Sequence, residues 1–498
     1  MAVRGVSWPG EPAVLARSLA RAGAWFWLDG SAPAPGGGAG PGDPAHAGRS
    51  YLGEAAAVLR AERGAEREFL GALRGAMRPG ADANGDPSSG SGGRTGSAEA
   101  APGWVVALGY EFGVALMGLD PLPDAVDPGF ALRSETVLVL DHATRSAELH
   151  GPDETALDLW LARHGDALRG AASETSDDAD RNGRDSPAER ASPGQPAAEP
   201  AQWSTGPAGY EAAVEACREA IREGDAYVLC LTDTARAEAP GGDPLDLYLR
   251  LRAKGAELRG GVIVAGDRAL VSLSPERFLQ VRDGRVSTHP IKGTRPRGET
   301  PENDAALARE LAEDPKERAE NLMIVDLMRN DLSRVCEPET VATEGFLRVE
   351  THARVHQLVS TVSGRLRKGS DVFDAIEACF PGGSMTGAPK RRAVEILASL
   401  EQRPRGLYSG CFGWIAGSGD AELAMTIRSI ELRGLDAGLG AEGRGPGSPR
   451  PEARVGAGGG ITADSDPARE RAEKDLKAAP LLAVLVTDRP RGSHPAER

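Results

Sequence analysis

Three tight-turn signals constrain the fold of this chain more than any other feature. Gly266-Asp267, Asp283-Gly284 and Gly417-Ser418-Gly419-Asp420 each separate two strand-like apolar runs. A chain that reverses within two to four residues returns antiparallel to itself, so these runs predict hairpins. Helical patterns lie between them: an amphipathic stretch Tyr210–Glu223 closed by Gly224, and a later one with Leu322, Val325, Arg329 and Leu332 along one stripe. The runs Ala226–Thr232, Ser409–Ala416 and Glu422–Arg433 read as further strands. Hairpins interrupted by long helices predict an α+β fold with antiparallel sheets rather than the parallel sheet of βαβ units.

At 498 residues the chain exceeds the size at which one core keeps growing, so two domains or one two-lobed body are expected. Residues 79–103 and 170–202 are rich in Gly, Ser, Asp and Pro with little to bury, and read as a loop insertion and a linker. Residues 435–453 form a Gly/Pro/Arg insertion between two apolar runs. The expected division is an N-terminal region 1–165, a disordered linker 166–204, a C-terminal region 205–487 and a disordered tail 488–498. The N-terminal region alternates a helical pattern, Ala13 to Arg21, with strand-like runs Ala24–Leu28, Trp104–Leu108 and Thr136–Asp141.

A net charge of −15 argues against nucleic acid or an anionic membrane as partner, while a local cluster of Arg and Lys can still hold a small anion. Five scattered cysteines without a CxxC pair read as small buried apolar residues in a reducing compartment. With no apolar run of about 18 residues and no basic-then-apolar leader, the expectation is a cytoplasmic protein without membrane association.

Several side chains stand out chemically. Lys292, in Pro290-Ile291-Lys292-Gly293-Thr294-Arg295, is expected on a tight Gly-Thr turn, where desolvation by apolar strand residues would depress its pKa and make it a nucleophile. Glu276, sixteen residues earlier, is a candidate general acid or base. Glu317 and Glu320 share one helix face, and Glu470, Glu473 and Lys477 repeat that spacing. Two such helices offer carboxylates to one hard cation such as Mg²⁺. Gly456-Ala457-Gly458-Gly459-Gly460 reads as a glycine-rich loop whose N–H groups hold a carboxylate, and Pro381-Gly382-Gly383-Ser384-Met385-Thr386-Gly387-Ala388-Pro389-Lys390 as a second. Arg428, expected inside the strand Ala424–Ile430, either belongs to a buried ion pair or clamps a carboxylate.

The order SPERF, PIKGT, RAENLMIVDLMRNDLSRV, VHQLVSTVSG, FPGGSMTGAPK, RGLYSG and GAGGGITADSDP, followed by E-x-x-E-x-x-x-K, resembles the chorismate-utilising enzymes across about residues 205–487. Gly109-Tyr110-Glu111 carries a fainter match in the N-terminal region. The resemblance implies two antiparallel sheets packed as a sandwich with helices outside, and a chorismate-binding catalytic site in the C-terminal region. It also implies Mg²⁺ on Glu320 and Glu473 with support from Glu317 and Glu470. Thr294, Tyr408, Arg428, Lys477 and Gly458, Gly459 and Gly460 would hold the substrate.

Two positions discriminate within the family. Relatives that add water to chorismate resemble one another in a lysine base where this chain has Val228, which cannot take a proton. Anthranilate synthases resemble PIAGT where this chain reads PIKGT, as aminodeoxychorismate synthases do. The resemblance therefore implies amination of chorismate at C4, with Lys292 as nucleophile. No Gly-x-Cys-x-Gly nucleophile loop is present, so ammonia is expected free or from a separate glutamine amidotransferase subunit. Anthranilate synthase component I and a catalytically silent chorismate- or tryptophan-binding regulator are the alternatives. Gln357 stands where anthranilate synthases carry histidine, with His356 one place earlier and facing differently.

Overall fold

The computed structural model describes residues 1–9, 11–30, 48–77, 102–173, 201–239, 243–254, 259–352, 355–435 and 451–485. Every strand pairing within it is antiparallel. The insertion 79–101, the stretch 174–200, most of 435–453 and the tail 488–498 lie outside the described residues. The boundaries expected for the linker are corrected at both ends. Residues 166–173 finish the helix Glu154–Ser173, and Gln202–Trp203 adds a short strand beside Val228–Glu238.

Hydrogen-bonded strands follow one continuous path that is folded into two layers. The first layer runs through Ala24–Asp29, Arg259–Ala265, Arg268–Ser274, Ser429–Arg433, Glu452–Ile461 and Val228–Glu238. The second runs through Pro102–Leu108, Cys411–Ala416, Ala421–Met425, Arg277–Arg282, Arg285–His289 and Val355–Arg365. Two long strands, Arg49–Ala61 and Gly129–Asp141, pass from one layer into the other, and their register shifts between Gly53 and Ala57. Bulges there bend the strands through the corner.

Side-chain alternation builds three large cores from these two layers, with smaller apolar clusters beside them. Trp25 and Trp27 point to an outer core capped by the helices Pro12–Leu19, Glu154–Ser173, Pro244–Lys254 and Pro467–Leu485. Phe26 and Leu28, between and beyond them, enter the space between the layers with Phe130, Ile263, Phe412 and Trp414. Trp104, Val106 and Leu108 face the opposite outer core, capped by the helices Glu66–Met77, Pro315–Ser333 and Val372–Cys379. A period-two strand can be apolar on both faces only when both are covered. The result is the expected sandwich with helices outside. N-terminal strands sit inside both layers, so the two regions share one body: Ala24–Asp29 pairs with Arg259–Ala265, and Pro102–Leu108 with Cys411–Ala416.

In the helix Pro315–Ser333 the apolar stripe is displaced from the one expected. Ile324, Val325, Met328 and Leu332 are buried, whereas Leu322 and Arg329 are exposed. All five cysteines are buried and unpaired, and no helix among the described residues is long and apolar enough to cross a membrane.

Polar ties also join the regions. Buried Glu431 accepts from Arg268 at 2.6 Å, Arg433 at 2.7 Å and the Leu407 N–H at 3.0 Å, while Arg433 also donates to Asp124 at 2.7 and 2.8 Å. Flanking arginines hold the Glu431 carboxyl at about 2 although burial works against them. Removing one partner of a buried ion pair strands the others, at a cost of about 3–5 kcal/mol. Glu431→Ala is therefore expected to lose about that much stability in urea unfolding monitored by tryptophan fluorescence.

Candidate active site

Strands from the far ends of the two layers come together around Lys292. Its strand, Ile291–Pro296, pairs with Val355–Arg365, but the register slips between Ile291 and Thr294. The one extra residue makes a bulge in which Gly293 has φ +85, a conformation that disfavours side chains. A methyl on Gly293 would also lie 2.8 Å from Leu311 and 3.0 Å from the Glu317 carboxyl carbon. The Gly-Thr step is thus a strand bulge rather than the tight turn expected, and it aims Lys292 inward, where Nζ lies 3.9 Å from Glu320 Oε2.

The opposing wall is the strand Glu452–Ile461, which corrects the reading of Gly456–Gly460 as a loop. Its glycines answer a need for space within a sheet. A methyl on Gly456 would lie 2.0 Å from the Tyr408 ring, and one on Gly458 2.1 Å from the Leu231 carbonyl oxygen. At the strand's end, the methyl position of Gly460 is 3.5 Å from Lys292 Nζ, 3.8 Å from Glu320 Oε2 and 3.4 Å from the Val228 side chain. That of Gly459 is 3.1 Å from Glu470 Oε2 and 3.9 Å from Lys477 Nζ. Lys477 donates to the Gly458 carbonyl at 3.0 Å and lies 2.7 Å from Glu473. Lys292, Glu320, Glu470, Glu473, Lys477 and the glycines are therefore drawn together around one strand end.

Electrostatics within this cluster are uneven. Burial raises the Glu320 carboxyl above its usual range, with Lys292 and Lys316 opposing and Glu317 and Glu470 adding to the rise. Burial likewise raises Glu470, which Ser465 restrains by donating to it at 2.7 Å and which Glu473 pushes further up. Glu473, more exposed, is held low because Lys477, Lys316 and Lys292 outweigh its desolvation. Burial would lower the Lys292 ammonium, as expected from sequence, but Glu320, Cys230, Glu276 and Glu317 together reverse this and hold it above its ordinary value. Attraction by carboxylates exceeds desolvation here, so the expected direction is corrected.

Glu276 is buried between the strands Arg268–Ser274 and Arg277–Arg282, and its backbone carbonyl accepts from the Met425 N–H at 3.0 Å. Burial raises its pKa, while a hydrogen bond with Ser384 and the charge of Lys292 pull it down. Ser384 was visible only as part of a glycine-rich loop; the fold makes it the partner of Glu276.

Other expected residues stand differently. Arg428 is not within a strand: the strands Ala421–Met425 and Ser429–Arg433 belong to different layers, and Arg428, with φ +52 and exposed, lies at the crossing. That position excludes the buried ion pair and leaves the guanidinium open to an anion. Thr294 is exposed, paired in register with Gln357. His356 is buried away from Lys292, between Thr351 Oγ1 at 2.9 Å and Asp304 at 2.8 Å. It fastens the segment Arg297–Asp304 to the sheet. Sequence reading passed over Arg405, although RGLYSG contains it; buried, it donates to Glu401 at 2.7 Å and to the Cys230 carbonyl at 2.9 Å. An open cavity of about 690 Å³ lined by Trp203, Arg236, Arg403 and Glu452 includes none of the clustered residues.

The direction of the Lys292 shift gives a test. With its folded pKa raised, Lys292 contributes stability below the ordinary lysine value, and this is lost as pH climbs through the folded value. Glu320→Gln removes the leading charge behind the rise. In protein reductively methylated with ¹³C, the titration midpoint of the Lys292 methyl signal is expected to fall in that variant. An unchanged midpoint would show that Glu320 does not set it.

Comparison with known proteins agrees with this architecture. The family described as chorismate binding enzyme matches residues 49–483. The chain is 41% identical over 411 residues to an aminodeoxychorismate synthase of Streptomyces griseus, covering 79% of this chain and 52% of that one. It is 41% identical over 280 residues to anthranilate synthase component 1 of Haloferax volcanii, covering 55% and 50%. This chain thus spans about half the length of those curated relatives. Anthranilate synthase component I from Streptococcus pneumoniae superimposes with TM-score 0.69 at 25% identity, over 90% of this chain and 94% of that one. The menaquinone-specific isochorismate synthase of Escherichia coli shares the fold at TM-score 0.63 and 17% identity, over 97% and 94%. With its antiparallel sandwich, its carboxylate helices and a family match over most of its length, this chain belongs to the chorismate binding enzymes.

Proposed function

We propose that this chain aminates chorismate at C4 to give 4-amino-4-deoxychorismate. The observation that carries the reading is Lys292 on its bulge, facing Glu320 across the glycine strand end and within the field of Glu276. In the amination, Lys292 Nζ adds at C2 as the C4 hydroxyl leaves as water and the two ring double bonds shift. Ammonia then adds at C4, the double bonds return and Lys292 departs from C2. Glu276 suits the proton work, because burial raises its pKa and so favours the protonated form that would serve the leaving hydroxyl, after which it takes a proton from the incoming amine. Val228, at 3.4 Å from the methyl position of Gly460, fills with apolar bulk the place where a water-activating base would stand. Tyr408, Arg428, Lys477 and the glycine strand border the space for the substrate's carboxylates, with Thr294 at its outer edge.

The donor set also fits Mg²⁺. Glu320 and Glu470 are buried carboxylates that repel each other, with Glu317 and Glu473 beside them on the same two helices. An ion that completes its shell with water and substrate needs only one or two such carboxylates. Bound there, Mg²⁺ would supply positive charge for the ring carboxylate and offset the field that keeps Lys292 protonated. Ammonia would come from a separate glutamine amidotransferase subunit, in a cytoplasmic setting. The relatives named aminodeoxychorismate synthase support this reading. Relatives named anthranilate synthase component 1 favour C2 amination as the second reading, against which Lys292 stands.

Incubation with chorismate, Mg²⁺ and ammonium, with products assigned by NMR, tests the proposal. The 4-amino product is expected from the unaltered chain and is lost in Lys292→Ala, with residual amination moved to C2. Glu276→Gln is expected to slow turnover about 10²–10⁴-fold. Anthranilate from the unaltered chain would overturn the assignment. Separately, Glu320→Gln and Glu473→Gln are each expected to raise the Mg²⁺ concentration needed for half-maximal rate by tenfold or more; unchanged requirements would overturn the shared-metal reading.

A further inference from the structure

One turn of the N-terminal region reaches the substrate wall without belonging to the reacting groups. The helix Tyr110–Leu116 opens with Gly109-Tyr110-Glu111, packed onto Arg405-Gly406. The Tyr110 N–H donates to the Gly406 carbonyl at 2.9 Å. A methyl on Gly109 would meet that same oxygen at 2.7 Å, so only glycine admits the approach. Buried Glu111 accepts from the Arg405 N–H at 2.8 Å on one oxygen and from the Gly406 N–H at 3.0 Å on the other. The Tyr110 ring lies under the Arg405 guanidinium, 4.2 Å from centroid to carbon.

What this turn holds leads straight into the site. Two residues beyond Gly406, the Tyr408 ring covers Gly456. Arg405 also donates to the carbonyls of Met385 at 2.8 Å and Cys230 at 2.9 Å, and Cys230 is paired in register with Gly460. Tyr408 and the strand beside Gly460 are therefore both tied to the Arg405-Gly406 segment that this turn holds. A carboxylate alone meets the requirement, because both of its oxygens accept; a carboxamide would turn its NH₂ against one of the two N–H donors. Burial without a directly bound cation pushes the Glu111 carboxyl up to about 7, a cost the fold carries to keep two acceptors at this place.

We infer that Glu111 is a positioning residue that sets the placement of Tyr408 and thereby the affinity of the site for chorismate. The identity of the ligand rests on the proposed function; the placement of Tyr408 does not. Chorismate affinity is measured by calorimetry on the full chain and on Glu111→Gln, Tyr110→Leu and Leu157→Ala. The last truncates the N-terminal core far from the turn. The same proteins carrying 3-fluorotyrosine report the Tyr408 environment by ¹⁹F NMR, with the signal assigned through Tyr408→Phe. Glu111→Gln and Tyr110→Leu are expected to bind chorismate tenfold or more weakly and to shift the Tyr408 signal, while Leu157→Ala does neither. The ammonium KM is expected to stay within twofold. An unmoved Tyr408 signal in a folded Glu111→Gln or Tyr110→Leu protein, or an equal loss of affinity in Leu157→Ala, overturns the inference. If the unaltered chain binds no chorismate yet the signal moves, the functional reading falls and the positioning role stands.

Discussion

Everything in this site depends on one strand that gives up its side chains. Between Gly456 and Gly460 the strand Glu452–Ile461 is approached by the Tyr408 ring, the Leu231 carbonyl and the Glu470 carboxylate at distances where a methyl group would collide or crowd, and by Lys292 at ordinary contact distance. Glycine in a strand interior weakens it, since it loses the most backbone freedom and packs nothing. Pairing over ten residues with Val228–Glu238 offsets that weakness. The chain accepts a poor strand former there because its neighbours leave no room for a side chain at Gly456 or Gly458.

Charge is distributed to match that space. Carboxylates on two helices, Glu317 and Glu320 on one and Glu470 and Glu473 on the other, meet Lys292 at the strand end, while Lys316 and Lys477 pair with them along their own helices. Buried like charges cost free energy unless something neutralises them. The rise of Glu320 and Glu470 is the sign of that cost, and the elevated Lys292 is its counterpart. The same field that would attract a hard cation also favours the charged form of Lys292. Glu320, 3.9 Å from Lys292 and buried near Glu470, is the carboxylate that links the lysine to the acidic pair.

Regions that look separate along the chain are interleaved in space. Long bulged strands turn the corner between layers, and N-terminal strands pair with C-terminal ones in both layers. Buried polar contacts follow the same route: Asp124 with Arg433, and Glu111 with the Arg405-Gly406 peptide groups. An N-terminal region without reacting groups can influence the site because it shares the site's sheets.

Local chemistry was readable from the residues in order. Turn signals and alternation announced antiparallel strands, since a two-residue reversal and a period of two are properties of the chain itself. The spacing of Glu317 with Glu320 and of Glu470 with Glu473 announced carboxylates on two helix faces, because helical geometry is local. Other features were decided only by the folded structure. The glycine run reads equally as a loop or a crowded strand until its neighbours are known, and Lys292 reads as desolvated until Glu320 is seen 3.9 Å away. Arg428 reads as a strand residue until Ala421–Met425 and Ser429–Arg433 prove to lie in different layers. Backbone periodicity is written along the chain, whereas the sign of a pKa shift and the room for a side chain are set by groups far away in sequence.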